Sequence, residues 1–405
     1  MRIALLSGDS RGFFKDYRNA VPEFGTAPAA LIQGFALSPD LEVHVISCAQ
    51  ASMHSPAKLA PNVFFHSLLV PKIGWMRTGY QGCIRAVRKH LKVIQPDIVH
   101  GQGTERDCAI SAVLSGFPNV VTIHGNMNAI AALHRSPVGS FHWLAARLED
   151  FALRRTHGII CISEYVKNLV ERYQVPTWIV PNAVQKMFFD FPKAKSTGTG
   201  RPLLINVGVI SERKRQQEVL GLLESLRAEG LAFDTVFVGR CDMRGAYCQG
   251  FKARLEKAKG QYGGFEHIES LDDASFCELF DRASAMVHFS KEESFGLTFA
   301  EAIARGLYLF ASDVGAVRDI AQGVTGVEIF DLNAWEELKS SIRHLLVPGE
   351  KRQGCPHTPP AEFIGRYHPV AIARRHVEIY EEVLGRARLA SGDRRPTGRV
   401  RQGRG

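Results

Sequence analysis

The sequence predicts an α/β protein made of two facing Rossmann-like domains, each built on a doubly wound parallel sheet. Short apolar runs alternate with segments of helical period and length, which is typical of parallel α/β architecture. The alternation stops at "FPKAKSTGTGRP", a stretch rich in Pro, Lys and Gly, and then starts again. The chain has 405 residues, which is enough for two domains of ordinary size.

These two series of segments set the domain boundaries. We expect a first domain over residues 1–185, a linker over 186–200 and a second domain over 201–365. A helix over 366–388 has apolar residues at helical spacing and could pack on either half, including back on the first domain. The tail over 389–405 is Arg- and Gly-rich and should be disordered, because it has too little apolar surface to bury.

Each half contains its own strands and helices. The strands of the first half are predicted at "RIALLS", "LEVHVISC", "PDIVHG", "NVVTIHG", "GIICIS" and "WIVPNAV", with helices at "PAALIQGFALS", "GYQGCIRAVRKHLKVIQ", "RDCAISAVLSG" and "FHWLAARLEDFALRR". The second half has strands "LLINVGV", "FDTVFVG", "AMVHFS" and "YLFAS", and helices "RQQEVLGLLESLRAEG", "SFCELFDRA", the segment bearing Glu301, and "NAWEELKSSIRHLL". Open α/β sheets bind ligands at the carboxyl ends of their strands, so we expect a shared cleft there.

Composition limits the compartment and the partners. The eight cysteines form no CxxC pair, which favours a reduced, cytoplasmic compartment. The opening "MRIALLSGDSRG" is too short for a signal-peptide core, and no run reaches the roughly 18 apolar residues of a membrane span. A net charge of +9 is compatible with nucleic acid, anionic lipid or a phosphorylated ligand.

Several common catalytic motifs are absent from the sequence. There is no GxxxxGK[ST], no Asp-x-Asp and no HExxH, so we predict no metal and no P-loop chemistry. The nearest approach to a dinucleotide fingerprint is "GQGTER", in which Arg106 stands where the third glycine should be.

One basic loop opens the second domain. "NVGVISERKRQQ" places Ser211, Arg213, Lys214 and Arg215 between a strand and a helix. Cations oppose the dipole at a helix N-terminus, so this loop makes sense if a dianionic ligand lies between them. A solvated basic turn is the alternative.

Two acids eight residues apart mark a second loop, "EESFGLTFAE". On a continuous helix Glu293 and Glu301 would be roughly 12 Å apart, which is too far for the paired carboxylates of glycoside hydrolysis. One acid at each end of a long ligand fits better, with the N–H groups of Gly296 and Leu297 free for a phosphate or a sugar oxygen. The alternative is a capping box, in which Ser290 and Glu293 close a helix end.

At these residues the chain resembles the retaining GT-B glycosyltransferases of the family 4 type. "ESFGLTFAE" is similar to that family's E-x-F-G-x-x-x-x-E pattern, and "ARGLYLFASDVGAVRDI" resembles the block that follows it. "VGVISERK" resembles the family's phosphate loop. "VVTIHG", "IICISEYV" and "IVPNAV" resemble segments of its N-terminal, acceptor-side domain.

The resemblance implies a GT-B fold and roles for individual residues. Glu301 would hold the ribose of a nucleotide-sugar donor, and Glu293 would accept hydrogen bonds from the donor sugar. Gly208, Lys214 and the amides after Phe295, at Gly296 and Leu297, would surround the diphosphate. His124 would approach the donor sugar from the first domain, and Gly25 would let the backbone come close to the phosphates. Catalysis would rest on Glu293, Lys214 and His124, without a metal or a cofactor.

The chain also departs from the family pattern. Val209 stands where the family usually has Arg directly after the loop glycine, so Arg213 supplies that second cation or diphosphate binding is weaker. Gly25 is single where the family has a Gly-Gly pair, and Ala183 replaces a common Gly.

The resemblance predicts sugar transfer with retention from a UDP-, GDP- or ADP-linked donor to a glycan, lipid-linked or small-molecule acceptor, as in polysaccharide biosynthesis. The alternatives are a degenerate GT-B protein that binds the donor without turnover, and a GT-B sugar-nucleotide epimerase or glycogen-type synthase. Nucleic-acid binding draws only on net charge and the tail, and we do not predict it.

A basic helix raises the question of a membrane contact. "MRTGYQGCIRAVRKHLKVI" carries Arg77, Arg85, Arg88, Lys89 and Lys92. This face could lie against anionic lipid at the inner side of the membrane, or it could simply be solvated.

Overall fold

The protein, described here by a computed structural model, contains two parallel sheets that follow one another along the chain. The structure describes residues 1–133, 135–192, 200–347 and 359–391. The predicted α/β class with two doubly wound sheets is confirmed. Residues 193–199 of the predicted linker over 186–200 and residues 392–405 of the predicted tail over 389–405 lie outside the described residues.

The first sheet has eight strands in the order β3-β4-β2-β1-β5-β6-β7-β8, all parallel except the β3–β4 pair. The strands are β1 (Arg2–Leu6), β2 (Glu42–Ala49), β3 (Lys58–Ala60), β4 (Val63–Leu69), β5 (Ile98–Gln102), β6 (Asn119–Ile123), β7 (Ile159–Cys161) and β8 (Thr177–Ile179). The helices are α1 (Ser10–Phe14), α2 (Thr26–Ala36), α3 (Gln81–Ile94), α4 (Asp107–Val113), α5 (Met127–Leu133), α6 (Phe141–Leu153), α7 (Glu164–Val170) and α8 (Met187–Asp190).

The second sheet has six parallel strands in the order β11-β10-β9-β12-β13-β14. Its strands are β9 (Leu203–Val207), β10 (Asp234–Val238), β11 (Phe265–Ile268), β12 (Ala285–His288), β13 (Tyr308–Ser312) and β14 (Val327–Phe330). The helices of this half are α9 (Gln216–Ala228), α10 (Ala246–Tyr262), α11 (Asp273–Arg282), α12 (Leu297–Arg305), α13 (Val317–Ala321) and α14 (Trp335–Leu346), followed by α15 (Ala361–Tyr367) and α16 (Pro369–Ser391).

Both sheets reverse their strand order beside their first strand, β1 or β9. Doubly wound sheets bind ligands at such a reversal, outside the carboxyl ends of the strands. The positions that matter are therefore the loops after β1 and β5 in the first half and after β9 and β12 in the second.

The last helix crosses back onto the first half. Ile372, Ile379 and Tyr380 of α16 are buried in the same cluster as Ile3 of β1 and Phe35 of α2. Burial of such side chains contributes about 1.5–3 kcal/mol each, so α16 is a structural part of the first half. Within the described residues, no helix is both long enough and apolar enough to cross a membrane.

Candidate active site

A cavity of about 490 Å³ lies between the two halves, at the carboxyl edges of both sheets. A larger one, of about 580 Å³, surrounds Met1 and Asp97 at the opposite edge of the first sheet and contains none of the predicted site residues. Eight of the residues predicted from the sequence line the cavity between the halves, namely Gly25, His124, Arg213, Lys214, Glu293, Phe295, Gly296 and Leu297.

The loop that carries Glu293 is irregular rather than helical. It follows β12 and reaches Gly296, which has a φ of 99° and is the N-cap of α12. This left-handed conformation suits glycine, which has no Cβ to clash with the backbone. The capping-box alternative is therefore wrong, because Glu293 precedes the helix. The Ser290 hydroxyl instead donates to Glu293 Oε1 at 3.0 Å.

Glu293 is surrounded by donors. Lys214 Nζ donates to Oε1, His288 Nε2 lies 3.0 Å from the same oxygen, and Arg213 lies 3.7 Å from Oε2. Burial opposes ionisation of this carboxyl, but the adjacent His288 ring and the charge of Lys214 outweigh it. Together they hold the pKa of Glu293 well below its usual range, so the cleft contains a fixed negative charge.

Lys214 is the cation nearest to that carboxylate. Its side chain is 12% exposed, and burial lowers the pKa of its ammonium group although Glu293 opposes the shift. A methyl group added at Gly208 would lie 3.4 Å from Lys214 Cε, so the predicted Gly208 supports the lysine stem from behind rather than lining the cavity. Lys214 lines the cavity with its ammonium group beside Glu293.

Glu301 is 3% exposed and is not among the residues that line the cavity. Burial raises its pKa to about 8, and the positive charge of Lys214 only partly offsets that rise. The two acids of the "EESFGLTFAE" segment therefore differ in charge near neutral pH. Glu293 is ionised and Glu301 is mostly protonated.

The basic loop after β9 divides its cations between two places. Arg213 lines the cavity, and its guanidinium donates to the Glu292 carbonyl at 3.0 Å. Arg215 is buried, donates to the Leu332 carbonyl at 2.7 Å and stacks on Trp335. The expectation that three cations surround one anion is wrong for Arg215, because its side chain points away from the cavity and packs against Trp335. Val209 is exposed.

His124 is held by a buried chain of hydrogen bonds. Its Nε2 donates to Gln102 Oε1 at 2.8 Å, and Gln102 Nε2 donates to His100 Nε2 at 3.0 Å. His100 Nδ1 lies 2.5 Å from the hydroxyl of Tyr380 on α16. Burial lowers the pKa of His124 to about 4, so it enters the cleft as a neutral ring.

The structure adds cleft residues that sequence reasoning missed. Gln102, Glu105 and Asn182 line the cavity from the first half. Their signal in the sequence is position, since Gln102 ends a strand, Glu105 follows it within "GQGTER" and Asn182 lies in "PNAV". Burial raises the pKa of Glu105, the second acid of the cleft.

Gly25 is the N-cap of α2 with a φ of −56°, which any residue can adopt. The nearest atom to an added methyl group would be Pro28 Cδ at 3.7 Å. Nothing in the local backbone therefore demands glycine at this position, and its predicted role depends on space for a ligand.

The described residues include one cluster with the spacing of metal ligands, outside this cleft. The ligand atoms of Cys48, Cys83 and Asp107 all lie within 4.8 Å of one another. This grouping was not apparent from the sequence, because the three residues belong to different segments that only the fold brings together.

The two facing sheets and the charged cleft between them define the GT-B class of glycosyltransferases, which act on nucleotide sugars. Residues 35–186 match Glycosyltransferase Family 4, and residues 188–356 match Glycosyl transferases group 1. The chain belongs to this family, the group 1 glycosyltransferases of the family 4 type, as the sequence predicted.

Similar proteins include mannosyltransferases. The chain is 23% identical over 358 residues to the GDP-mannose:cellobiosyl-diphosphopolyprenol alpha-mannosyltransferase of Xanthomonas campestris, covering 85% of this chain and 89% of that protein. It is 25% identical over 149 residues to the serotype-specific mannosyltransferase WbdA of Escherichia coli, covering 36% of this chain and 17% of WbdA.

Solved structures share the fold at low identity. Sucrose-phosphate synthase from Thermosynechococcus elongatus has a TM-score of 0.72 at 15% identity, covering 95% of this chain and all of that one, 100%. Anabaena Alr3699/HepE in complex with UDP-glucose has a TM-score of 0.69 at 15% identity, covering 94% of this chain and 100% of that one.

Proposed function

We propose that the protein transfers a hexosyl group from a nucleotide-diphosphate sugar to an acceptor, with retention of anomeric configuration and without a metal. The observation that carries the proposal is the ionised Glu293, held by Lys214 and His288 beside the N-terminus of α12. Glu293 would accept hydrogen bonds from the donor sugar, while Glu301 would face the ribose.

The proposed reaction separates charge, which side chains and amides of the cleft would stabilise. As the sugar leaves, the diphosphate gains negative charge. Lys214, Arg213 and the first amides of α12, which have no partner within the helix, line the cavity and would surround that diphosphate. Retention is supported by the family resemblance, and the neutral His124 would contact the sugar from the opposite wall.

GDP-mannose is the first donor to test, because two of the similar proteins are mannosyltransferases. A thermal-shift panel of GDP-, UDP- and ADP-sugars identifies the donor. Proton NMR of the product gives its anomeric configuration, and turnover in excess EDTA tests metal independence. An inverted product or loss of activity in EDTA would contradict those parts of the proposal.

Single substitutions test the site itself. We expect Lys214→Ala and Glu293→Ala each to reduce transfer by at least about tenfold, since each removes charge that stabilises the transition state. Lys291→Ala is the matched control. This exposed lysine lies in the same loop as Glu293, but it pairs with Glu212 outside the cavity. Near-normal turnover in both site variants would contradict the proposed roles of Lys214 and Glu293 and with them the proposed transfer reaction.

We also propose a cytoplasmic protein that touches the inner face of an anionic membrane through α3. Support comes from the exposed side chains of Arg85, Arg88, Lys89 and Lys92 on one side of that helix, and from Val93, which is 80% exposed among them. Co-sedimentation with anionic liposomes tests this contact.

A further inference from the structure

A second cavity, of about 300 Å³, adjoins the cleft on the side of the first half. Gly8 lines both spaces, and the turn after β5 separates them, with Glu105 facing the cleft and Arg106 facing the second cavity. The two cavities are therefore immediate neighbours on the side of the first half.

Aromatic side chains form much of the wall of this second cavity, from Phe13, Trp75, Tyr80 and Phe141. Phe13 is 60% exposed and Phe141 is 47% exposed, although both are large and apolar. The Trp75 indole is fixed by a hydrogen bond of 3.0 Å to the Val70 carbonyl. Exposed apolar surface beside a concave site is typical of ligand binding, and flat rings suit the apolar faces of a sugar.

The charge in this cavity is positive. Asp9 is already neutralised by Arg11, at 2.6 Å, with both side chains buried. Burial raises the pKa of Asp107, which favours its neutral form. Lys15 and Arg106 have no carboxylate within 4.0 Å among the described residues, and the Arg106 guanidinium lies 4.8 Å from the centre of the Phe13 ring. Two cations and several aromatic rings therefore share one small space.

We propose that this second cavity is the acceptor subsite and that the acceptor is a sugar carrying a phosphate or diphosphate, held by Lys15 and Arg106 with its ring against Trp75. This inference depends on the proposed function, and it specifies the acceptor class. In the transfer, the acceptor oxygen bonds to the anomeric carbon while the bond from that carbon to the diphosphate oxygen breaks. The electron pair leaves with the diphosphate, which also takes the acceptor proton.

Three acceptor probes share one sugar and differ in the attached group. They are glucose 1-phosphate, glucose linked through diphosphate to a ten-carbon prenyl chain, and uncharged octyl glucoside. We expect the phosphorylated probes to be used with a KM at least tenfold below that of octyl glucoside. Comparison of the two phosphorylated probes distinguishes a soluble sugar phosphate from a lipid-linked one, and either preference supports the proposal.

The double substitution Lys15→Gln with Arg106→Gln should raise the KM for the phosphorylated probes at least tenfold and leave the donor KM within twofold. Arg18→Gln is the control, because Arg18 is an exposed arginine of the same segment that does not line the cavity. Equal use of octyl glucoside, or an unchanged acceptor KM in the double variant, would overturn the subsite.

A direct binding measurement separates this inference from the proposed function. Calorimetry with the phosphorylated probes alone, without any donor, should show binding that the double variant loses. Such binding with no transfer from any nucleotide sugar places the failure in the proposed function. If the protein transfers sugar to another acceptor and binds neither phosphorylated probe, the proposed function stands and the proposed acceptor subsite is wrong.

Discussion

Glu293 is the residue on which the geometry of the cleft depends. Its carboxylate accepts from Lys214 and Ser290, and its backbone carbonyl faces Gly315 of the following loop. A carboxylate fixed on several sides keeps its position when a substrate arrives, so little free energy is spent on rearrangement during the reaction.

Gly315 controls that position through its lack of a side chain. Its φ is 56°, and a methyl group there would lie 1.4 Å from the Glu293 carbonyl oxygen. We expect Gly315→Ala to displace the Glu293 loop and reduce turnover by at least about tenfold, because a shift of about 1 Å at a reacting group can cost a hundredfold. Steady-state kinetics with the identified donor measures the effect.

Gly323→Ala is the control for backbone strain. Gly323 has a φ of 74°, and an added methyl group meets nothing within 4 Å. Both changes carry the cost of a left-handed alanine, about 1–2 kcal/mol, which thermal unfolding measures. Only Gly315→Ala should also lose turnover, and equal turnover in the two variants would show that this contact does not position Glu293.

The raised pKa of the buried Glu301 predicts that donor binding releases a proton. Its pKa of about 8 leaves it mostly protonated at pH 7. Ribose hydroxyls donate to a carboxylate better than to an acid, so binding should favour the ionised form and release a proton at pH 7. Donor affinity should therefore rise as the pH increases toward 8, and level off above it.

Calorimetry at pH 7 in two buffers with different ionisation enthalpies measures the released proton. Glu301→Gln cannot ionise, so the variant should show no buffer dependence from this group. If the wild-type protein releases no proton, or if Glu301→Gln releases as much, the ribose hydroxyls do not contact Glu301 in the way proposed.

At the scale of elements, the strongly periodic segments were predictable from the sequence. Helix α3 has buried residues at Cys83, Val87 and Leu91 with charged residues between them, and the predicted segment contains its observed bounds. Strand β13 was predicted with its observed bounds, because "YLFAS" is a short apolar run between turns. In such segments the spacing of the apolar residues alone shows which side chains are buried.

Elements whose burial depends on distant partners were missed. Strand β4 pairs with β2 across a long intervening segment, and helix α10 contains Gly250 and Gly260, which locally favour a turn. Packing of Phe251 and Leu255 into the second core outweighs that preference. Helix α8, placed in the predicted linker, is likewise fixed by burial of Phe188.

The residues of the candidate site also form two groups, those that the local sequence identifies and those that only the fold brings together. Glu293, Lys214 and Gly296 belong to contiguous motifs, so their sequence spacing identified them. The chain from His124 through Gln102 and His100 to Tyr380 joins residues up to 280 positions apart in sequence, and no local pattern reveals it. Glu105 is similar, because only the sheet order brings it to the cleft.

At the scale of the whole molecule, both walls of the cleft are joined directly. The Ser163 hydroxyl donates to the Ser294 carbonyl at 3.0 Å, next to Glu293. Across the cleft, the Arg240 guanidinium lies 3.9 Å from the centre of the Phe14 ring. The last helix then returns to the first half, so the chain crosses between the halves twice.

The segment over residues 69–94 connects the proposed membrane face with the proposed acceptor subsite. Trp75 and Tyr80 line the second cavity, while α3 presents its basic side chains to solvent. Leu69 and Ile73 of the same segment are 60% and 78% exposed. Contact of this segment with anionic lipid would bring the mouth of the cavity to the membrane surface, where a lipid-linked sugar would be presented.

Charge reversal on α3 tests that orientation. We expect Lys89→Glu with Lys92→Glu to weaken co-sedimentation with anionic liposomes at least tenfold, since each basic residue near such a surface contributes about 1 kcal/mol. The matched control is Lys257→Glu with Lys259→Glu on α10, which makes the same charge change on exposed lysines of the second half. Binding should also fall with added salt, because screening shortens the reach of surface charges. If both pairs weaken binding equally, net charge rather than this face attracts the protein to lipid, and α3 does not orient it.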